Sequence, residues 1–341
     1  MHALVIVIPD LYLPDEEAAA LAPRQPALER IARLGEVIAL PQGWRPWIAQ
    51  YLGLRALATE PAACVAARAC PVTLSGAVWL ATPVHCIAGH AGVHLEQRGL
   101  LKLPEATLAA LAADFGAVFQ DAGVQLEPLP SGGFLLSGPG LPGADAHSIE
   151  PARCVGVPMH GTLPLDRALQ RLRAEIEIWL HEHPVNRERS ARGELAVTGL
   201  WMWGGGASAL PNSTAAADTT SIRALARAFA RDPYVDGLWS AAGAGVVPPP
   251  PSRLAQMETV EAEHTIIVVA LADFVASQSA AGIGDALIAL DGEWLLPATR
   301  LLARGAWRKL LLIANDRCIT LARRDALKLW RRARPGLSGL L

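Results

Sequence analysis

The first apolar run, ALVIVI at Ala3–Ile8, is continuous and not alternating, and it stops at Pro9-Asp10. A short β-branched run of this kind fits a parallel strand covered on both faces. The apolar spacing that follows predicts a helix at Leu28–Leu34, a strand at Val37–Leu40, and a helix at Trp44–Leu54 with Trp47, Ile48, Tyr51 and Leu52 on one face. Two later runs repeat the buried-strand signal. TIIVVAL at Thr265–Leu271 is the strongest in the chain, and KLLLIA at Lys309–Ala314 is the other. Ser221–Ala230 and Asp285–Ala303 carry helical spacing, Gly243–Pro251 is a loop ending in four prolines, and Arg323–Arg334 is a basic helical tail that runs into a Pro-Gly segment.

The middle of the chain has a different rhythm. Ala77–Ala81, Gly92–Glu96 and Phe134–Ser137 read as strands, and the last leads into the loop GPGLPGADAH. Pro104–Phe119 is a Leu- and Ala-rich helix with proline in its first turn. Asp166–Glu182 is a long amphipathic helix that stops at His183-Pro184, because the residue before proline is pushed out of helical conformation. Parallel-type strands alternate with helices at both ends, and an α+β stretch lies between them. The pattern predicts one α/β domain interrupted by an insertion, with a core at 1–80 and 195–341 and an insert at 81–194. No internal repeat stands out.

Composition narrows the function classes. At 341 residues the chain exceeds one typical domain, and its 52 % apolar content is enough for one or two packed cores. Lys and Arg (30) nearly balance Asp and Glu (32), for a net charge of −2, which argues against a general nucleic-acid binder, although arginines cluster at 187–192 and 323–334. The basic tail reads either as a contact for an acidic partner or as a solvated helix face. Five cysteines with no C-x-x-C fit a cytoplasmic chain with reduced, mostly buried thiols. The N-terminal run lacks a basic n-region and is a strand, not a signal peptide. No apolar stretch reaches the ~18 residues of a membrane span.

Three strand ends carry an aspartate: Asp10, Asp273 and Asp316. Ligands collect at the carboxyl ends of strands in open α/β sheets, and three converging carboxylates make a hard-cation or general-base site. Capping a helix or turn is the alternative for each. His181 and His183 form an H-x-H pair, and His85, His90 and His94 a looser set, with spacings that metal sites use. A histidine in the last turn of a helix also interacts well with the helix dipole.

The segment 183–206, HPVNRERSARGELAVTGLWMWGGG, is the most informative. It orders a helix end, a cationic loop at 187–192, a strand at Leu200–Trp203 and three glycines, the ingredients of a cleft for an anionic ligand. Arg187, Arg189 and Arg192 read either as a bidentate clamp or as a surface loop paired with Glu188 and Glu194. Gly204–Gly206 lack the spacing of a dinucleotide-binding or P-loop motif. They allow close backbone approach or form a plain turn. Trp201 and Trp203 share one strand face, as core packing or as a stacking platform.

HPVN followed by arginines, then Gly193, then LWMWG with further glycines, resembles the archaeal-type cofactor-independent phosphoglycerate mutases, whose stretch has the form HPVN, basic, G, then N-S-I-W-L-W-G-x-G-x-x-P. The spacing from Gly193 to Gly204 matches without a gap, and weaker collinear similarity covers most of the chain. HEHPVN and LWxWGGG bring it closer still to the RpfE-type bacterial regulatory proteins. The resemblance implies an alkaline-phosphatase-like fold, a mostly parallel sheet flanked by helices, with an inserted α+β lid.

The resemblance also implies two divalent metals and a serine nucleophile phosphorylated in turnover. Asp10 stands where the first family aspartate stands. Gly43-Trp44-Arg45 takes the place of G-S-D, so Trp44 replaces the nucleophile and no catalytic residue is assigned. Asp273–Ser277 takes the place of D-E-A-G-H, and Asp316-Arg317 that of D-H, so Ser277 and Arg317 replace histidines. Asp10, Asp273 and Asp316 remain as a residual metal set. Carboxylates without imidazole suit Mg²⁺ better than a paired, softer centre. Arg317 adds positive charge there, and without a hydroxyl no phosphoenzyme forms.

The expectation is a degenerate relative acting as a regulatory or anionic-metabolite-binding protein, with no cofactor, or a divalent metal (Mg or Mn) if any. A phosphorylated or carboxylated metabolite is expected at His183, Asn186, Arg187, Arg189, Arg192, Trp203, Gly204, Gly205 and Gly206. A protein partner is a further expectation; nucleic acid and membrane are not. Two other readings stand beside it: an active mutase or phosphatase borrowing His85, His181 or His183 as ligands, and an interaction or scaffold protein using the tryptophan surface and the basic tail.

Overall fold

The computed structural model describes residues 2–12, 23–89, 92–143, 149–156, 166–207, 226–257, 262–277, 281–314 and 316–327. The chain divides into two compact units. The first comprises 1–58, 217–231 and 244–341, and the second 59–216 and 232–243.

The first unit is mixed α/β around a six-stranded, mostly parallel sheet. Its strands are β1 (Ala3–Val7), β2 (Glu36–Ala39), β8 (Ala226–Phe229), β9 (His264–Val268), β10 (Lys309–Ala314) and β11 (Arg317–Ala322), in the order β2-β11-β10-β1-β9-β8. β10, β1, β9 and β8 run parallel, with Ala3 beside both Lys309 and His264, while β11 and β2 are antiparallel. Every residue of β1 is buried, as its unbroken apolar run requires.

One face of this sheet, with Leu4, Ile6 and Leu312, packs on Leu28, Ile31 and Leu34 of helix α1 (Pro26–Leu34). The same core takes in Trp294 and Leu302 from a long helical stretch, Ile283–Leu290, Asp291–Leu295 and Leu296–Arg304, whose middle segment widens into a π turn. At that turn Asp291 accepts the amide N–H groups of Ala27 (3.1 Å) and Leu28 (2.8 Å), which caps α1 from outside its own sequence. Helix α2 (Trp44–Tyr51) buries Trp44 and Ile48, not the face centred on Trp47 and Tyr51; those two rings stack on each other 4.8 Å apart at the half-exposed side.

The second unit is built on an antiparallel sheet. Its strands are β3 (Ala77–Gly89), β4 (Gly92–Leu100), β5 (Gln125–Pro128), β6 (Phe134–Gly138) and β7 (Gly199–Ala207), ordered β4-β3-β6-β5 with β7 paired to β3. Strand alternation divides its side chains between two cores. Trp79, Ala81, Leu136, Leu200 and Met202 face helices α4 (Glu105–Val118) and α5 (Arg167–Glu182). Val78, Leu80, Leu135, Trp201 and Trp203 face helix α3 (Ala62–Ala66).

Several elements differ from expectation. β7 pairs with β3, so 59–80 and 195–207, expected in the core, lie in the second unit together with 232–243. The stretch expected as a helix at Ser221–Ala230 contains β8, because its main chain completes the ladder of β9; residues 221–225 lie outside the described residues. β11 was not foreseen. It turns back on β10 directly after Asp316, whose φ of 56° is the left-handed conformation that aspartate tolerates. The basic tail begins as a tight turn at Arg323–Leu327, where Asp325 accepts the Ala322 amide at 2.7 Å, and the rest of it lies outside the described residues. No described helix is long and apolar enough to cross a membrane.

Candidate functional site

The parallel order β10-β1-β9 brings the carboxyl ends of three strands to one edge of the first sheet, and with them Asp10, Asp273 and Asp316. Asp10 lies just beyond β1. Its Oδ1 accepts the Leu271 amide and its Oδ2 the Ala272 amide, both at 2.8 Å. These are the first two amides of helix α8 (Leu271–Ala276), so the carboxylate caps that helix end and complements its dipole. Asp273 lies in the first turn of α8, and its carbonyl accepts the Ser277 amide at 3.0 Å.

Asp316 sits in the β10–β11 turn. Its carbonyl accepts the Leu40 amide at 2.6 Å, and Oδ1 accepts the Tyr12 hydroxyl at 3.3 Å. Arg317 opens β11 opposite Ala314. Trp44 is buried at the start of α2, and the Arg45 guanidinium lies over its ring, 4.4 Å from the centroid. Ser277 donates its hydroxyl to the Phe274 carbonyl.

A pair of divalent metals does not fit this donor set. Both Asp10 oxygens accept amide N–H groups of α8, and the residue that follows Asp316 in the chain is an arginine. Among the described residues no group of three or more His, Cys, Asp and Glu is arranged to hold a metal ion.

The segment 183–206 lies wholly in the second unit. Residues 187–191, expected as a loop, belong to a second helix, α6 (Pro184–Ala191). The proline that ends α5 starts α6, since its missing N–H is one that a first turn leaves unpaired. His183 caps it. Nδ1 accepts the Val185 amide at 3.2 Å, so Nε2 carries the proton and donates to Asp114 Oδ2 at 3.1 Å. Its ring also meets the edge of Trp179.

Asn186 is buried with all its hydrogen bonds internal. Nδ2 donates to the carbonyls of Leu180 (2.7 Å) and Val197 (2.8 Å), and Oδ1 accepts the Val197 amide (2.7 Å). Arg189, only 6 % exposed, donates from Nε to the Leu195 carbonyl at 2.7 Å and from Nη1 to Glu194 at 2.9 Å. Burial lowers its pKa, and Glu194 opposes that shift. Arg192 pairs with Glu194 on the outside at 2.8 Å, which holds the carboxyl below its ordinary range. Arg187 is exposed on α6.

Trp203 and Trp201 are core residues. Their indole N–H groups donate to Thr82 Oγ1 (2.9 Å) and to the Ile149 carbonyl (2.8 Å). The glycines continue β7 rather than forming a turn. A Cβ on Gly205 would stand 2.1 Å from the Trp79 indole, and one on Gly206 2.5 Å from Pro61. Gly204 has a φ of 62°.

The histidines do not assemble. His85 pairs with the Ala196 carbonyl at 2.8 Å, His181 is exposed while His183 is buried, and His90 lies outside the described residues. Asp236, on helix α7 (Pro233–Ala241), is a titrating group that sequence reasoning missed. Burial pushes its pKa up to about 6, opposed by the Ser131 hydroxyl and aided by Asp232. Asp114, the partner of His183, was missed as well. A lone acid on an Ala- and Leu-rich helix gives no sign of its contact.

No family model matches the chain, and no curated protein does. Its structure is similar to that of a cofactor-independent phosphoglycerate mutase from Thermoplasma acidophilum DSM 1728, at 16 % identity and a TM-score of 0.39, over 100 % of this chain and 94 % of the other. A protein from Pyrococcus horikoshii is similar at 12 % identity and a TM-score of 0.43, over 99 % and 91 %.

Proposed function

We propose that this chain is a non-catalytic relative of the cofactor-independent phosphoglycerate mutases, of the RpfE-type regulatory kind, which binds a small anionic metabolite and turns nothing over. The observation that carries this reading is the Asp10 carboxylate, with one oxygen on each of the first two amides of α8. A carboxylate in that geometry does the work of a helix cap. Trp44, Ser277 and Arg317, which stand where the family resemblance implies a serine nucleophile and two histidines, offer no imidazole, the Ser277 hydroxyl being given to the Phe274 carbonyl. The anion-binding part of the reading rests on the cations of α6. With Arg189 engaged by Leu195 and Glu194, the exposed Arg187 is the group offered to a phosphate or carboxylate, and Arg192 assists from its pair with Glu194.

Metal content and thermal shift together test the reading. Purified protein is expected to hold less than about one equivalent of divalent metal and to show no shift of its melting midpoint with Mn²⁺. 3-Phosphoglycerate or a comparable phosphorylated acid is expected to raise that midpoint, as any ligand selective for the native state does. Two bound metals per chain would overturn the proposal, and no response to any phosphorylated or carboxylated metabolite would remove its binding half.

A further inference from the structure

We propose that the proline run 248–251, with Arg253 behind it, is a docking segment for a partner domain whose groove is lined by aromatic rings and edged by carboxylates. Four consecutive prolines hold φ near −65° and carry no N–H, so they cannot join a helix or a sheet ladder. Polyproline II, which needs no internal hydrogen bonds, is the conformation left to them. The structure places 244–251 in neither helix nor strand.

The segment is held in place from beneath. Val247 is buried, and the Pro248 carbonyl accepts the Ala230 amide at 3.0 Å. Val246 (95 %), Pro248, Pro249, Ser252 and Arg253 are exposed, Val247 is buried, and Pro250 and Pro251 are half-buried. The result is an apolar ridge already ordered in the conformation that such grooves recognise, which lowers the entropy lost on docking.

Charge indicates the second property of the partner. Pro248, Pro251 and Arg253 read P-x-x-P-x-R, and Arg253 is exposed. Arg231 follows Ala230, the residue bonded to Pro248, so a second exposed cation stands at the other end of the run. An apolar ridge between two guanidinium groups is complementary to an aromatic groove with an acidic rim. This inference is independent of any ligand at Arg187.

The test uses the full chain titrated onto a purified SH3 domain, a groove of that chemistry, with the groove tryptophan fluorescence as readout. Saturable binding is expected. The pair Pro248→Ala and Pro251→Ala is expected to weaken it about tenfold or more, and Arg253→Glu about fivefold or more. Arg253→Glu leaves every proline in place and keeps the test decisive if the double proline variant does not fold. Absence of saturable binding, or binding that none of these changes weakens, overturns the proposal. Variants that lower only the melting midpoint overturn it too, because the run is then a rigid connector.

Discussion

Asn186 and Val197 exchange two hydrogen bonds as paired strand residues do, although Asn186 sits on a helix. Its side-chain amide donates to the Val197 carbonyl at 2.8 Å and accepts the Val197 amide at 2.7 Å. The third bond, to the Leu180 carbonyl, ties the end of α5 to the same point. One side chain thus fixes the corner from which β7 departs, and the most recognisable motif of the chain, HPVN, is a framework element in this fold.

Asn186→Ala takes the partners of the buried Val197 N–H and C=O, while the Leu180 carbonyl keeps the His183 amide. It should lower stability by about 2–4 kcal/mol, at roughly 1 kcal/mol or more for each buried group left unpaired. Urea denaturation checks this. Unchanged stability would contradict the framework role.

Arg189 and Arg187 should part company. Arg189→Ala breaks a bond to a carbonyl and a pair with Glu194, for a loss of roughly 1–3 kcal/mol of stability. Arg187→Ala should leave the unfolding midpoint in place and weaken 3-phosphoglycerate binding by roughly 1.5–3 kcal/mol, the range for a charge-assisted bond. Calorimetric titration beside urea melts separates the two.

Gly205→Ala should destabilise by roughly 1–3 kcal/mol through overpacking, because its Cβ falls 2.1 Å from the Trp79 ring. Combined with Trp79→Leu, the cost should be smaller than the sum of the two single changes, since the clash is with that ring. Additive costs in a double-mutant cycle would contradict this packing.

Asp236 sets a pH dependence of definite sign. Burial raises its native pKa to about 6, against an ordinary aspartate value of 3.8. Between those values the native state binds more protons than the unfolded state, so this group's contribution to stability falls as pH rises from 4 to 6 and stays low above. Asp236→Asn should therefore gain stability over the parent at pH 7–8 and lose most of that gain near pH 4. Denaturation midpoints of both proteins across this range give the test, and a difference that is flat with pH would refute it.

The strands and helices with a strong period were legible from the chain itself. Ala3–Val7 and Lys309–Ala314 appear where their apolar runs lie, because burial on both faces demands such runs. β8 was not legible, because Ala226–Phe229 becomes a strand through the ladder offered by β9, not through its own pattern. The strand ends were legible as a place, since topology does gather Asp10, Asp273 and Asp316 at one edge. Their roles were not, because only long-range partners separate a helix cap from a metal ligand: the Leu271 amide lies 261 residues from Asp10. The sequence left the arginine cluster at 187–192 open between a clamp and a loop paired with Glu188 and Glu194, because it does not show that Glu194 turns back onto Arg189 and Arg192.

Hydrolysis of p-nitrophenyl phosphate with Mn²⁺ in excess, by the parent chain and by Asp10→Asn, tests the central claim most directly. If Asp10 serves as the cap of α8, both proteins release nitrophenol at the rate of buffer with metal alone. Metal-dependent turnover by the parent that Asp10→Asn abolishes would contradict the account.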